Sequence, residues 1–217
     1  MTLLCCTVLK KDEFERQAWE NNQFLVGIDE VGRGCLAGPL VAACCIIPIG
    51  TECPLLKDSK TLSELQREKA YAWLAAHAWF SCGIIDSYCI DQSSIVAATK
   101  KAMVKSVNQL FTIISTQQKN SIAGIVVDAV QLEMQSFNGS IISFCHGEDY
   151  SSSIAAASIV AKVTRDRLMK NIDCVFPSYG FASHKGYGTA KHYAGIDTTD
   201  ISIIHRKTFL KNKYNSI

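Results

Sequence analysis

The reading of the chain turns on V-G-I-D-E-V-G-R-G-C-L-A-G-P, residues Val26 to Pro39. Phe24 to Ile28 is apolar without polar alternation, the pattern of a strand buried on both faces. It runs straight into two acids, Asp29 and Glu30. Neighbouring side chains of a strand point to opposite faces. For both carboxylates to act at one place, the strand is expected to end or bend between them. Gly32-Arg33-Gly34 follows at once. Glycines let a backbone approach a ligand and expose its N–H groups, and arginine grips phosphate with two hydrogen bonds.

Working outward, Val41 to Ile47 is a second buried-strand run, and Gly38-Pro39 marks a bend before it, so a hairpin is expected. Phe14 to Trp19 reads as a short leading helix. Ser63 with Gln66 fits a capping box opening a helix to about Trp79. Ser81 to Ser87 reads as a third strand. Asp91 is the expected N-cap of a second helix, reaching about Phe111. Ile122 to Asp128 is another buried strand ending in an acid, and Ile141 to Cys145 a further one. Ser151 to about Asp173 reads as a long helix. Ala155 to Ser158 would let it lie close to a sheet, and Ala155, Ile159 and Val163 repeat at helical spacing. From Pro177 the chain is loop-rich, then weakly helical. The alternation predicts an α/β fold, a mixed central sheet flanked by helices, with functional residues at strand ends.

Composition narrows the class. Hydrophobic residues make up 48% and charged residues 19% of 217, enough for a core and unlike a disordered chain. Net charge is +2, but residues 160–217 hold 10 Lys/Arg against 4 Asp/Glu. That basic quarter is a candidate nucleic-acid face, weighed against ordinary solvated charge. The ten cysteines show no Cys-x-x-Cys spacing and several sit in apolar runs, so they read as buried hydrophobes of a reducing compartment, not disulfides or zinc ligands. Leu3 to Leu9 is short for a signal segment and lacks a preceding basic residue. The longest apolar run, Cys35 to Gly50, carries Pro39 and Pro48 and falls short of a membrane span. A cytoplasmic protein without a membrane partner is expected.

The acids carry the chemistry. Asp29 and Glu30 end one strand, Asp128 another, and Glu148-Asp149 precedes the long helix. Hard divalent cations such as Mg²⁺ or Mn²⁺ need such oxygen clusters. Two of them can activate a water and stabilise the leaving oxygen of a phosphodiester. Clustered carboxylates otherwise repel, at a cost in stability. Against this, Asp29, Glu30 and Asp128 can begin turns, and Asp149 can cap the long helix. Lys57-Asp58-Ser59-Lys60-Thr61 is a second candidate phosphate contact, through Lys60. Tyr187, within His184-Lys185-Gly186-Tyr187-Gly188-Thr189, is placed to stack on a sugar or base or simply to pack.

With these pieces in view, the chain resembles ribonuclease HII, the bacterial type 2 ribonuclease H, nearly end to end. Gly27 to Gly34 with Leu36-Ala37-Gly38-Pro39 is similar to that family's opening signature, and Asp58 to Ser63 to its next motif. Ile154 to Asp166 resembles a family helix almost completely, and Tyr179-Gly180-Phe181, Lys185 to Thr189 and His205-Arg206 continue the likeness. The resemblance implies a ribonuclease H-like catalytic domain over 1–190 with a C-terminal helical appendage over 191–217. It implies an endonuclease that cuts RNA in RNA–DNA hybrids and nicks 5′ of single ribonucleotides embedded in duplex DNA. Two divalent ions, Mn²⁺ or Mg²⁺, would be held by Asp29, Glu30, Asp128 and a fourth acid. Gly32, Arg33, Gly34 and Tyr187 would contact substrate, and the enzyme would act as a monomer.

Two positions depart from the family pattern. A Gly-Asp pair usually precedes the long helix, and counting back six residues from Ile154 lands on Glu148. Asp149 takes its place if the turn shifts by one. Asp128 is followed by Ala129 where the family usually has Gly. The rival readings are a ribonuclease HIII-like enzyme preferring longer hybrids, a hybrid-binding protein without catalysis, and a small-molecule phosphatase.

Overall fold

The structure is a computed structural model and describes residues 12–51, 53–56 and 62–211. The strands are β1 (Phe24–Val31), β2 (Leu40–Ile46), β3 (Trp79–Ile85), β4 (Ile122–Asp128) and β5 (Ser140–Phe144). The helices are α1 (Glu13–Glu20), α2 (Glu64–His77), α3 (Ser87–Asp91), α4 (Ile95–Ile113), α5 (Thr116–Asn120), α6 (Ser152–Val175), α7 (Phe181–His184), α8 (Ala190–Thr199) and α9 (Lys207–Leu210). The five strands form one sheet in the order β3-β2-β1-β4-β5. β1 and β2 form the expected antiparallel hairpin, and β3 joins β2 antiparallel. β1, β4 and β5 run parallel, which makes the sheet mixed.

Each face of the sheet carries a helix. Val26, Ile28, Leu40, Ala42 and Cys44 pack with Ala98, Ala102, Met103 and Val107 of α4. Val41, Ala43 and Cys45 pack with Ala155, Ile159 and Val163 of α6, and with Ala70 and Leu74 of α2. The strict change of partner from one residue to the next is the strand period of two. Gly27 decides how close α6 comes: a Cβ there would lie 2.1 Å from the carbonyl carbon of Ser153. The first turn of α6 therefore rests directly on β1, two residues before Asp29.

Helix caps match the expected chemistry where the partner is local. Ser63 accepts from Gln66 N, and the Gln66 side chain accepts from Ser63 N, completing the capping box of α2. Ser151 caps α6 through Ile154 N at 3.2 Å. Glu15 of α1 is buried and reinforces that end, accepting from Ser151 Oγ at 2.5 Å and Ser153 N at 2.9 Å. Asp91 is not the cap expected of it. It ends α3, and Ser94 caps α4. Its carboxylate instead accepts from Lys207 N (2.8 Å) and Thr208 N (3.0 Å), 116 and 117 residues away, at the start of α9.

A third apolar cluster joins Leu36, Ala37 and Met169 to Tyr179, Phe181, Ile196 and Leu210. It seats α7, α8 and α9 against α6 and the β1–β2 connection. The eight described cysteines are all free. Burial pushes the Cys44 thiol up to about 11, so it stays protonated. Among the described residues, no helix is long and apolar enough to cross a membrane.

Candidate active site

The acids meet at one end of the sheet. Ile28↔Val127 is the last parallel pair of β1 and β4, so Asp29 and Asp128 stand next in line on neighbouring strands. Asp29 shares the strand parity of Gly27, whose missing Cβ faces Ser153, and so turns towards α6. Ser158 of α6 lies on that side and favours the charged form of its carboxylate. The break expected between Asp29 and Glu30 is absent. β1 continues through both and stays paired with β2, Asp29↔Ala43, Glu30↔Ala42 and Val31↔Val41. The sheet opens instead on the β4 side, where parallel pairing stops. Beyond that edge the longer glutamate side chain has room to turn, and regular alternation does not keep it away.

Glu30 lines a cavity of about 220 Å³ with Glu148, Val31, Arg67, Ser158, Ile159 and Lys162. Glu148 reaches it from a 3₁₀ turn, Gly147–Asp149. Gly147 N donates to Asp128 Oδ1 at 2.8 Å, tying that turn to the end of β4. Glu148 is buried, whereas Asp149 is exposed and does not cap α6. The structure thus sets Asp29, Glu30 and Asp128 within reach of one another's charge, places Glu148 on the cavity that Glu30 lines, and leaves Asp149 exposed.

Two backbone outliers flank these acids. Ala129 (φ 55°) and His146 (φ 59°) are both left-handed. An L-residue there costs roughly 1–2 kcal/mol, which accounts for the usual glycine after Asp128 in the family resembled. Ala129→Gly is expected to stabilise the protein by about 1 kcal/mol, a rise of about 2–4 °C in melting temperature, measured by differential scanning calorimetry. An unchanged or lowered midpoint would contradict this account.

The electrostatics are those of crowded carboxylates. Burial, then the charges of Glu30 and Asp128, push Asp29 up to about 7 against the offset from Ser158. Burial likewise raises Glu30, with Arg33 opposing and Asp128 adding. Glu30 Oε1 pairs with Arg33 Nη1 at 3.1 Å, while Oε2 is buried with no hydrogen-bond partner. Among the described residues, no three potential ligands already converge as a cage. The donors are nevertheless hard oxygens that repel one another, and one is orphaned, so the residues fit a hard divalent cation.

Beside the acids lies the 32–39 loop. Gly32 has φ 91°, and a Cβ there would come within 2.2 Å of Arg165 Nε. At Gly34 a Cβ would meet nothing within 4 Å. The side chain of Arg33 is 40% exposed. Two fully buried arginines hold the loop from behind. Arg165 donates to the carbonyls of Pro39 (2.8 Å), Lys185 (2.8 Å) and Ala37 (3.3 Å). Arg206 donates to those of Arg33 (2.8 Å) and Gly38 (2.9 and 3.2 Å). Tyr187 is partly exposed on the neighbouring turn, beside Cys35, with Arg165 Cζ 5.9 Å from its ring centre. Lys60 lies outside the described residues.

The basic C-terminal quarter divides between the interior and the surface. Arg165, Lys185 and Arg206 are buried, and Lys162, Arg167 and Lys170 pair with Asp166, Glu68 and Glu64. Arg167 and Lys170 are exposed despite their partners, as are Lys191, Lys207 and Lys211. Counting charge along the chain could not separate structural cations from surface ones.

The family model for ribonuclease HII matches residues 26–214. The chain belongs to the ribonuclease HII family. A ribonuclease HII of Ruminiclostridium cellulolyticum is 43% identical over 201 residues, 92% of this chain and 75% of that one. A ribonuclease HII of Levilactobacillus brevis is 42% identical over 197 residues, 90% and 72% of the two chains. The fold is similar to that of ribonuclease HII of Archaeoglobus fulgidus, solved as a complex with PCNA (TM-score 0.69, 22% identity, 88% of this chain and 95% of that). It is also similar to ribonuclease HIII of Bst, solved with Mn²⁺ (TM-score 0.71, 15% identity, 90% and 70%). These likenesses place the chain among ribonuclease H hydrolases with the ribonuclease H fold. The buried Arg165 and Arg206, unassigned from their sequence context, emerge as the residues that hold the family's glycine-arginine loop in place.

Proposed function

We propose that this enzyme hydrolyses the RNA strand of RNA–DNA hybrids and nicks duplex DNA 5′ of a single embedded ribonucleotide. The observation that carries this reading is the gathering of four acids at one sheet end beside an exposed arginine on a tightly held loop. Asp29, Glu30, Asp128 and Glu148 would hold two divalent ions, Mn²⁺ or Mg²⁺. When bound, such ions activate a water and stabilise the departing 3′-oxygen. Arg33 pairs with Glu30 and is exposed enough to turn to a substrate phosphate. Gly34 leaves open space for the backbone of the substrate. Tyr187, half-exposed, presents its ring to the sugar at the RNA–DNA junction, where the 2′-OH separates RNA from DNA. Lys60 is proposed as a further phosphate contact. The catalytic unit spans 1–190 and the appendage 191–217, and the enzyme acts as a cytoplasmic monomer.

The test is incubation with duplex DNA carrying one ribonucleotide, with and without Mn²⁺, beside a long RNA–DNA hybrid. A metal-dependent nick on the 5′ side of that ribonucleotide is expected. Cleavage of the long hybrid alone would favour a ribonuclease HIII-like enzyme, and no cleavage of either would end the catalytic reading. The fourth acid is tested separately. Glu148→Gln is expected to lower kcat/KM by about 10²-fold or more, equivalent to about 3 kcal/mol, and Asp149→Asn by less than about threefold. The reverse ranking would move the ligand to Asp149.

A further inference from the structure

Behind Tyr187 lies a buried chain of imidazoles that the chemistry above does not use. His184, His192 and His205 are all buried, and they surround Phe181. His184 and His192 stack at 4.5 Å between centroids. Their hydrogen bonds determine every proton. Ser202 N–H donates to His205 Nδ1 at 2.9 Å, so that nitrogen is bare and Nε2 carries the hydrogen. His205 Nε2 lies 3.0 Å from His192 Nε2, which must therefore accept. The hydrogen of His192 is then on Nδ1, 2.9 Å from the carbonyl oxygen of Tyr187, to which it donates. His184 is assigned the same way: Gly186 N–H donates to its Nδ1 at 3.2 Å, leaving Nε2–H for the Tyr179 carbonyl at 2.7 Å. Burial and the neighbouring imidazoles lower His205 to about 4 and lower His192, in keeping with a neutral chain.

The relay connects three segments that converge on the substrate side. Leu36 N donates to Gly186 O, Arg206 N to Leu36 O and Gly38 N to Ile204 O, at 2.8–2.9 Å, and Ala37 bridges His205. The 202–206 segment that supplies His205 is thus bonded to the 32–39 loop, and the relay extends that frame to the Tyr187 carbonyl. We propose that His192 and His205 are positioning residues for substrate recognition: their relay fixes the backbone of Tyr187 and so the place of its ring beside Cys35 and the Gly32-Arg33-Gly34 loop. This rests on the reading of Tyr187 as a substrate contact.

The first test needs no variant. Nitrogen chemical shifts of the wild-type imidazoles are expected to report an Nδ1–H tautomer for His192 and Nε2–H for His205. An Nε2–H tautomer at His192 would overturn the relay. The second test compares Tyr187→Ala, His192→Gln and His192→Asn on the one-ribonucleotide duplex, with melting temperatures taken alongside. The amide nitrogen of Asn falls where Nδ1 stood and can still donate to the Tyr187 carbonyl, whereas the longer Gln places its amide near Nε2. His192→Gln is expected to raise KM about tenfold with a smaller change in kcat, and His192→Asn to return KM to within about threefold of wild type. If Tyr187→Ala leaves KM unmoved, the reading of Tyr187 fails and the relay's role fails with it. If Tyr187→Ala raises KM but the two His192 variants behave alike, the relay alone is overturned.

Discussion

Asp29→Asn is expected to abolish hydrolysis and, in the absence of divalent cations, to make the protein more stable. The two effects have one cause. Asp29 is raised from 3.8 to about 7 by burial and by the charges of Glu30 and Asp128. Between these two values the folded state keeps a proton that the unfolded chain has released. Stability therefore falls as pH rises from about 4 to about 7, and above that the ion-free protein carries the whole penalty. The shift sets a ceiling of about 4 kcal/mol. Asp29 is only half-buried, so screening by water reduces the expected figure to about 1–2 kcal/mol. Asn cannot ionise. The ion-free variant should therefore melt roughly 2–6 °C higher than wild type at pH 8, with a flatter pH dependence. Divalent cations should raise the melting temperature of wild type well above that of the variant. Activity moves the other way: loss of one carboxylate from the cluster removes several kcal/mol of transition-state stabilisation, at least about 10³-fold in rate. An active variant, or one less stable than ion-free wild type at pH 8, would show that Asp29 is not part of a cation-binding cluster.

Whether a feature could be read from the chain depended on how local its cause is. The strand runs ending at Asp29 and Asp128 stood out because burial on both faces removes polar alternation, and an acid then marks the end sharply. The Ser63–Gln66 box was equally legible, since donor and acceptor lie three residues apart. Asp91 misled because its carboxylate serves α9, a partner that no local window contains. The continuation of β1 past Asp29 was hidden for a related reason. Alternation is a property of one strand, but the space into which Glu30 turns comes from the neighbouring strand ending first. Arg165 and Arg206 read locally as part of a basic surface. Their burial follows from carbonyls supplied by segments as distant as 173 residues.

Arg165→Met should produce the largest loss of stability among the substitutions considered. Its guanidinium is fully buried, and its three hydrogen bonds all go to main-chain carbonyls, of Ala37, Pro39 and Lys185. Methionine fills much of the volume but strands those acceptors away from water. Each buried acceptor left unpaired costs roughly 1–3 kcal/mol, and some will find water as the loop relaxes. A net loss of about 3–5 kcal/mol is expected, a drop of roughly 10 °C in melting temperature. Arg165→Lys should recover little of it, because one ammonium cannot span three carbonyls that a planar fork reaches together. The damage should also be local. Hydrogen exchange at the amides of Leu36 and Gly38, which bond to Gly186 and Ile204 across the same frame, should accelerate before that of β2 or α4. KM for the one-ribonucleotide duplex should rise at temperatures where the variant is still folded, because the loop carrying Arg33 loses its backing while the carboxylates keep theirs. A melting temperature within about 2 °C of wild type, or exchange accelerating evenly across the sheet, would mean that Arg165 is a tolerated buried charge and not what holds the substrate loop.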